Sequence, residues 1–317
     1  MRQNTPVSLS HRKDLKMFKN IKKNKIESGV IIAIFIIVIT LIVYYICHAL
    51  RLGTISIVFA LIFSIASAWG SYYYSDKIVL SLNKARPATK EEDLKIVNIL
   101  DALMVTSGLS AKPRLYVTDD PQPNAFATGR NPENAVICVT TGLLNKLDYY
   151  ELEGVIAHEL SHIKNYDIRL SCVVSVMVGF IVMLSDMFSR ILFWGGLDND
   201  RDSDNKGNGI LMVIGLIFLI LSPIFGSLMQ LALSRKREFL ADSTAIEFTR
   251  NPDGLISALR KLDTDDNQLA TANSATANMY IVNPFKKNTK EGKKKSSNLW
   301  STHPSIEDRI NALENLR

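Results

Sequence analysis

Four long apolar stretches interrupt an otherwise polar chain of 317 residues. The first two cover residues 29–50 and 53–74, and each is long enough to cross a lipid bilayer as a helix. The second ends in a tryptophan and three tyrosines, residue types that collect at membrane interfaces. We therefore predict a tight transmembrane hairpin over residues 29–75. Two buried core helices are the alternative, although apolar stretches of this length are rare in soluble folds.

The other two apolar stretches cover residues 170–194 and 209–233. The third stretch contains Asp186 and Arg190, four residues apart on one helical face, where they could pair in the membrane or lie at its edge. The polar loop between the two stretches lacks a positive excess, so we expect it to face outward. We predict a second transmembrane hairpin over residues 170–233. A shallow hairpin that does not cross the bilayer is the alternative.

Basic residues indicate on which side of the membrane the polar segments lie. Residues 1–28 form a basic tail, and further lysines, including Lys77 and Lys84, follow the second apolar stretch. Because positive charge concentrates on the cytoplasmic side, we predict that the N-terminus and both soluble segments, 76–169 and 234–317, are cytoplasmic.

The distribution of charge indicates the kind of partner, and the cysteine content indicates whether disulfides are expected. The formal net charge is +6, but Lys and Arg concentrate in the tail and around residues 286–295 without interleaved aromatic residues. This pattern favours a lipid surface over nucleic acid as the partner. Cys47, Cys138 and Cys172 form no C-x-x-C pair, so no disulfide framework is expected.

The soluble segments predict a mostly α-helical α+β domain with a small sheet. Residues 89–92 read as a capping box that starts a helix. Residues 143–150 read as a short helix, and Asn251 and Pro252 as the first residues of a later helix. Residues 264–298 are expected to form a mobile loop that can cover a cleft. The inner face of the first helix is predicted to carry Leu94, Val97, Leu100 and Met104.

Three short strands are predicted between the first of these helices and the second. They cover residues 114–118, 124–130 and 135–140, with a turn at Asn131-Pro132 between the last two. The segment Asn124-Ala125-Phe126-Ala127, if exposed, could hold an extended peptide substrate by strand addition. An ordinary hairpin explains the same sequence.

The chemistry of the chain is concentrated in His158-Glu159-Leu160-Ser161-His162. On an α-helix, residues four apart share a face, so both imidazoles can reach a single metal ion. Glu159 points elsewhere around the helix, which suits a general base for a water molecule and not a third ligand. Two histidines on a charged surface helix are the alternative.

A catalytic zinc site usually takes a third protein ligand. His11 lies in the basic tail and His48 in the first apolar stretch, so neither is well placed. Glu238 and Asp242 follow the fourth apolar stretch and share one helical face. Glu238 could complete a His₂Glu site, and Asp242 could accept a hydrogen bond from a ligand imidazole. A surface carboxylate pair beside the basic residues 235–237 is the alternative.

Together, the H-E-x-x-H motif, the later Glu238 and Asp242, the 124–127 segment and the four apolar stretches resemble the HtpX-type membrane zinc endopeptidases of bacteria. These are gluzincins related to the CAAX prenyl-protein proteases, and the resemblance begins at about residue 29. It implies a zincin-like metalloprotease domain with one Zn²⁺ per chain, bound by His158, His162 and Glu238 and supported by Asp242. It also implies a multi-pass protein of the bacterial plasma membrane that removes damaged or misfolded membrane proteins.

The resemblance also points to a motif near the C-terminal helix. In that family a His-Pro pair followed by Arg, here His303, Pro304 and Arg309, lies near the metal. His303 could then donate a hydrogen bond to the oxyanion of the tetrahedral intermediate. A surface histidine at the start of the helix is the alternative. This helix is predicted to begin near Ser305 and to carry Ile306, Ile310 and Leu313 on its apolar face.

We therefore expect a membrane-anchored zinc endopeptidase of the stress and quality-control class, acting on membrane-protein or unfolded polypeptide substrates. A homo-oligomer and an association with membrane quality-control partners are both compatible with the sequence. Two alternatives remain: a scaffold in which zinc only joins the hairpins, and a transporter that uses Asp186 and Arg190 as its polar pathway. Glu159 argues against the scaffold, because a structural site needs no base beside its ligands.

Overall fold

A computed structural model describes residues 9–49, 53, 55–195, 234–265, 267, 269–270, 275–282, 284 and 304–316. This part of the chain is mostly helical and contains one four-stranded mixed sheet. The helices are α1 Leu9–Ala49, α2 Ser56–Tyr73, α3 Ser75–Leu82, α4 Lys90–Ser107, α5 Thr141–Lys146, α6 Tyr149–Lys164, α7 Asp167–Gly195, α8 Arg235–Thr249, α9 Pro252–Asp263 and α10 Ile306–Glu314. The strands are β1 Arg86–Pro87, β2 Arg114–Thr118, β3 Ala125–Thr128 and β4 Val136–Thr140.

The sheet has the order β1-β2-β4-β3, which leaves β3 at one edge. β2 and β4 are parallel, whereas β1 with β2 and β3 with β4 are antiparallel. The predicted hairpin is therefore confirmed. Asn131 accepts a hydrogen bond from the backbone of Asn134, and Pro132 starts the single 3₁₀ turn between the two strands.

Helix α6 lies at the centre of the soluble part, packed against α4, α8 and α9. Its approach to α9 is close because glycines face backbone at the crossing. A β-carbon on Gly154 would lie 2.7 Å from the backbone nitrogen of Leu255, and one on Gly254 would lie 2.4 Å from the carbonyl oxygen of Tyr150. The buried face of α6 includes Leu152, Val155, Ile156, Leu160 and Ile163.

The predicted inner face of α4 is partly wrong. Its capping box is present, with Thr89 and Glu92 bonded reciprocally. However, Leu94 is 68% exposed, and Met104 is only partly buried. The face of α4 that its neighbours cover is displaced by one or two positions from the predicted face. Several apolar residues could face inward, and tertiary packing decides which of them do. The buried apolar residues are Ile96, Ile99, Leu100 and Leu103.

The region before the metal-binding motif also differs from the prediction. The predicted helix over 143–150 is two helices, because α5 ends at Lys146 and α6 begins at Tyr149. Asp148 sets this start: its side chain accepts from the backbone of Glu151, and the Glu151 carboxylate accepts from the backbone of Asp148. Such a capping box satisfies two of the backbone N–H groups that a helix start leaves without a partner.

Helix α1 joins the predicted tail to the first apolar stretch without a break. Residues 9–28 of the basic tail are helical and continue into the apolar stretch, because neither glycine nor proline interrupts them. Residues 19–44 are long and apolar enough to cross a membrane. A second candidate in the described part is α2 together with α3, which are bent by 73°.

Helix α2 presents an apolar surface outward. Seven apolar residues between Ile57 and Ile65 are exposed, each to at least 42%. A contiguous apolar surface of this kind is typical of contact with lipid or a partner. Helix α7 begins at Asp167 and contains the third apolar stretch. The fourth stretch, 209–233, and the side chains of Asp186 and Arg190 lie outside the described parts, so the second hairpin stays a prediction.

Candidate metal centre

Helices α6 and α8 bring His158, His162 and Glu238 together, with one ligand atom of each within 4.8 Å of the others. The two imidazole Nε2 atoms are 3.2 Å apart. Glu238 Oε2 lies 3.7 Å from His158 Nε2, and Glu238 Oε1 lies 3.7 Å from His162 Nε2. The rings stand nearly perpendicular, at 88°. All three potential ligand atoms therefore face one small volume.

The donor set fits Zn²⁺. A tetrahedral zinc ion with bonds near 2.05 Å separates its ligand atoms by about 3.3 Å, close to the observed spacings. Two imidazoles and one carboxylate are a known catalytic combination that keeps one position for water or substrate. His162 and Glu238 are each about one-seventh exposed, whereas His158 is buried, so the site opens on one side only.

Each imidazole is oriented through its other nitrogen by a carboxylate. His158 Nδ1 lies 2.9 Å from Asp242 Oδ1. His162 Nδ1 lies 3.0 Å from Asp167 Oδ2. In each ring, when it is neutral, a hydrogen bond donated by Nδ1 leaves Nε2 as the atom with a free lone pair, the arrangement typical of metal-ligating histidines. The structure thus places Asp242 where the sequence predicted it.

The role of Asp167 was not predicted from the sequence. It is the first residue of α7, and the turn before it contains Tyr166 in the left-handed region, at φ +60°. The turn places the carboxylate of Asp167 beside the ring of His162. The only signal in the sequence is an acidic residue five positions after His162, which is too common to identify an oriented partner.

Arg309 is buried beside the centre and holds Asp242 with two charge-assisted hydrogen bonds. Its Nε donates to Asp242 Oδ2 at 2.9 Å and its Nη2 to Asp242 Oδ1 at 2.6 Å. Nη1 lies 3.9 Å from Glu238 Oε2. A bidentate pair of this geometry fixes the plane of the carboxylate. Arg309 therefore acts on His158 and Glu238 at once, which agrees with the position that the family resemblance implied.

Glu159 is 2% exposed and lines the same cavity as the three potential ligands. Burial raises the pKa of its carboxyl group to about 7, and the nearby Glu238 adds to this increase. The backbone N–H of Ala127 donates to the carboxylate and opposes the increase. A carboxyl group with a pKa near neutrality can both accept and release a proton, which suits a general base.

The charges around His162 favour a cation. Burial lowers the pKa of His162, but the hydrogen bond to Asp167 and the charge of Glu238 outweigh it and raise the pKa to about 9. Burial and the charge of Arg309 lower the pKa of His158. One imidazole thus sits in a negative environment, which a divalent cation would neutralise.

The segment 124–127 is not exposed, so the condition for binding a peptide by strand addition is not met. Ala125, Phe126 and Ala127 are at most 5% exposed, and only Ala127 lines the cavity. The outer edge of β3 is covered by residues 275–282, which we call the covering segment. The N–H of Ile281 donates to the carbonyl of Ala125 at 3.0 Å.

Two asparagines hold the covering segment in place. The side chain of Asn124 donates to the carbonyl of Val282 and accepts from its N–H. Asn83 accepts hydrogen bonds from Thr276 and from the hydroxyl of Tyr280. The covering segment is therefore buried and bonded on both sides, unlike the mobile loop expected for residues 264–298. It forms one wall of the cavity, through residues 278–281.

The structure describes only part of the motif that contains His303 and Pro304. Pro304 is buried, and α10 begins after Ser305, whose side chain caps it. The apolar face of α10 is as predicted, with Leu313 buried and Ile306 and Ile310 partly buried. His303 lies outside the described residues, so its role as an oxyanion donor stays a prediction.

The chain is similar to known proteins over most of its length. The model of "Peptidase family M48" matches residues 90–317. The chain is similar to "Protease HtpX homolog" of Dictyoglomus thermophilum, with 42% identity over 301 residues that cover 95% of each chain. It is 41% identical to the protein of the same name from Caldanaerobacter subterraneus, over 93% of this chain and 96% of that one. The crystal structure of S. mikatae Ste24p is a distant likeness: TM-score 0.43, 17% identity, 93% of this chain and 66% of that one.

Proposed function

The chain belongs to peptidase family M48 and is a membrane metallopeptidase, and from this we propose that it is a zinc-dependent endopeptidase of protein quality control. Its substrates would be damaged or misfolded membrane proteins, cleaved at the cytoplasmic face of a bacterial plasma membrane. The observation that carries the proposal is the convergence of His158, His162 and Glu238 beside the buried carboxyl group of Glu159.

In this proposal different side chains bind the metal, transfer the proton and orient the ligands. A divalent cation held by the two imidazoles and Glu238 would polarise the scissile carbonyl and acidify a water molecule. Glu159 would take the proton from that water and deliver it to the leaving amine. Asp242 and Asp167 hold the two rings in the tautomer that directs Nε2 to the cation, and Arg309 holds Asp242.

The position of the centre supports membrane proteins as substrates. Leu170 lies in the first turn of α7, a few residues beyond Asp167, and packs in one apolar cluster with Ile31, Phe35 and Ile39 of α1. These α1 residues belong to the segment that can cross a membrane. The cavity therefore lies close to the expected lipid surface, where cytoplasmic loops and partly extracted chains would reach it.

Metal content and casein cleavage, measured on the same purified protein, test the proposal. Glu159→Gln should keep the metal and lose cleavage, because it removes the proton acceptor and leaves the ligands in place. Glu153→Gln, a matched change on the same helix outside the cavity, should keep both. His162→Ala should lose the metal. Unchanged cleavage by Glu159→Gln would overturn the assigned mechanism.

A cellular measurement tests the substrate class. A misfolded multi-span membrane protein should disappear faster in cells that make the wild-type enzyme than in cells that make Glu159→Gln. Equal decay of this protein, together with normal casein cleavage in vitro, would overturn the quality-control role but not the enzyme. Phenanthroline should abolish the cleavage, whereas a transport activity would survive it.

A further inference from the structure

Helix α1 reaches beyond its apolar part and contacts the metal centre. Asn24, near the start of the segment that can cross a membrane, is 3% exposed. Its side-chain amide donates to the carbonyl of Asn165 at 3.0 Å and to Asp167 Oδ1 at 2.6 Å. These two residues belong to the turn that joins α6 to α7. A buried amide that finds two acceptors in one turn fixes the position of that turn relative to α1.

The third residue of the turn is also held by α1. The ammonium group of Lys25 lies 4.1 Å from the centre of the Tyr166 ring, a distance typical of a cation–π contact. Tyr166 has the positive φ that makes the turn possible, and such a backbone persists only where its surroundings stabilise it. Helix α1 thus contacts Asn165, Tyr166 and Asp167 in succession.

The contact with Asp167 leads directly to a potential metal ligand. Asp167 presents Oδ1 to Asn24 and Oδ2 to the imidazole of His162. Arg237 Nε is farther away, at 3.9 Å from Oδ1. Because a carboxylate is planar, the short hydrogen bond to Oδ1 also sets the direction in which Oδ2 faces. Asn24 therefore determines how Asp167 orients the ring of His162.

We propose that Asn24 is a positioning residue of the metal centre, acting through Asp167 on His162, so that the membrane-anchor helix completes the site. The inference rests on the proposed function, because it requires His162 to bind the metal. The matched family region begins at residue 90, and therefore does not include Asn24. Helix α1 would serve as part of the catalytic unit in addition to being an anchor.

The test measures metal release from the purified full chain in detergent, loaded with Zn²⁺ and mixed with an excess of a chromogenic chelator. Asn24→Leu keeps the size of the side chain and removes both hydrogen bonds. Asn24→Asp keeps the shape of the side chain and replaces the donor by an acceptor. It is the variant to measure if Asn24→Leu does not accumulate. Both variants should release zinc about tenfold faster than the wild type. This is the lower end of the effect on metal affinity, about 10–100-fold, that is typical when a residue orienting a metal ligand is removed.

Thr40→Val is the matched control on the same helix. It removes the hydrogen bond between Thr40 and Ser64, which joins α1 to α2 away from the centre. Its release rate should equal that of the wild type. A general loosening of α1 would instead accelerate release in this control as well, and that result would overturn the proposal.

A double-mutant cycle separates positioning from a structural role. Asp167→Ala should accelerate release, and adding Asn24→Leu should cause no further change, because Asn24 acts through Asp167. Multiplied effects of the two changes, or a wild-type rate in both Asn24 variants, would overturn the inference while leaving the metal centre intact. If the wild type binds no zinc, or His162→Ala retains it, the proposed centre fails and the inference fails with it.

Discussion

Arg309 grips the carboxylate of Asp242 with two of its nitrogens, and both side chains are at most 2% exposed. This pair is a buried ionic contact of the centre, and it links α10 to α8. A buried pair of this kind costs desolvation energy when it forms, but leaves an isolated charge when one member is removed. The pair therefore gives the first prediction.

Arg309→Met should destabilise the fold by about 3–5 kcal/mol, because it leaves the Asp242 carboxylate buried without its cation. Chemical unfolding in detergent measures this. Arg260→Met is the matched control: its partner Glu314 lies 2.7 Å away, but the pair is largely exposed. We expect less than about 1 kcal/mol there. Equal effects of the two variants would contradict the importance of the buried pair.

Gly154→Ala should destabilise the protein by about 1–3 kcal/mol, because the new methyl group would meet the backbone of Leu255 and push α9 away from α6. Gly29→Ala on α1 is the control, since a β-carbon there meets nothing within 4 Å. That change should be neutral or stabilising by up to about 1 kcal/mol. Thermal unfolding compares the two variants. A Gly154→Ala protein as stable as the control would show that the crossing can relax.

Glu151 should make the stability depend on pH. Burial alone would raise its pKa, but hydrogen bonds from Lys261, Ser257 and the backbone of Asp148 outweigh it and hold the pKa below the ordinary 4.5. A lowered pKa in the folded state stabilises the fold above pH 4.5, and this contribution is lost as the pH falls through the folded-state value. The difference in melting temperature between wild type and Glu151→Gln should therefore shrink below pH 4.5. A difference that stays constant across this range would contradict the assignment.

The cytoplasmic orientation predicts the labelling of an introduced cysteine. Val105, on the outer face of α4, is 84% exposed. In a Cys47→Ser background, Val105→Cys should react with a membrane-impermeant maleimide only after the membrane is opened. Cys138 and Cys172 are buried and contribute little background. Labelling in intact spheroplasts would place the catalytic domain on the outer side and reverse the predicted orientation.

The parts of the centre that the sequence predicted depend on helical spacing. His158 and His162, like Glu238 and Asp242, are four residues apart, so each pair shares a face on any regular helix. Asp167 and Asn24 could not be found in this way. Asp167 reaches His162 through a turn with an unusual backbone at Tyr166, and Asn24 reaches Asp167 because α1 packs beside α7. The first contact depends on the backbone of one local turn and the second on tertiary packing, and helical spacing predicts neither.

The same distinction explains the errors in the fold. The β3–β4 hairpin was predictable because its turn residues and strand patterns are local. The covering of β3 by Ile281 was not, because the two residues that form the hydrogen bond lie far apart in the chain. Likewise, several apolar residues of α4 compete for its inner face, and only the neighbouring helices decide that Leu103 is buried and Leu94 is not.

The long separation in sequence between the H-E-x-x-H motif and Arg309 has a consequence during synthesis of the chain. His158 and Arg309 are 151 positions apart. At about 5–20 residues per second, a ribosome that has made the H-E-x-x-H motif needs roughly 8–30 s more to add the guanidinium that steadies Asp242. During that interval the nascent chain carries the H-E-x-x-H motif without Arg309, so the centre can be completed only when synthesis is nearly finished.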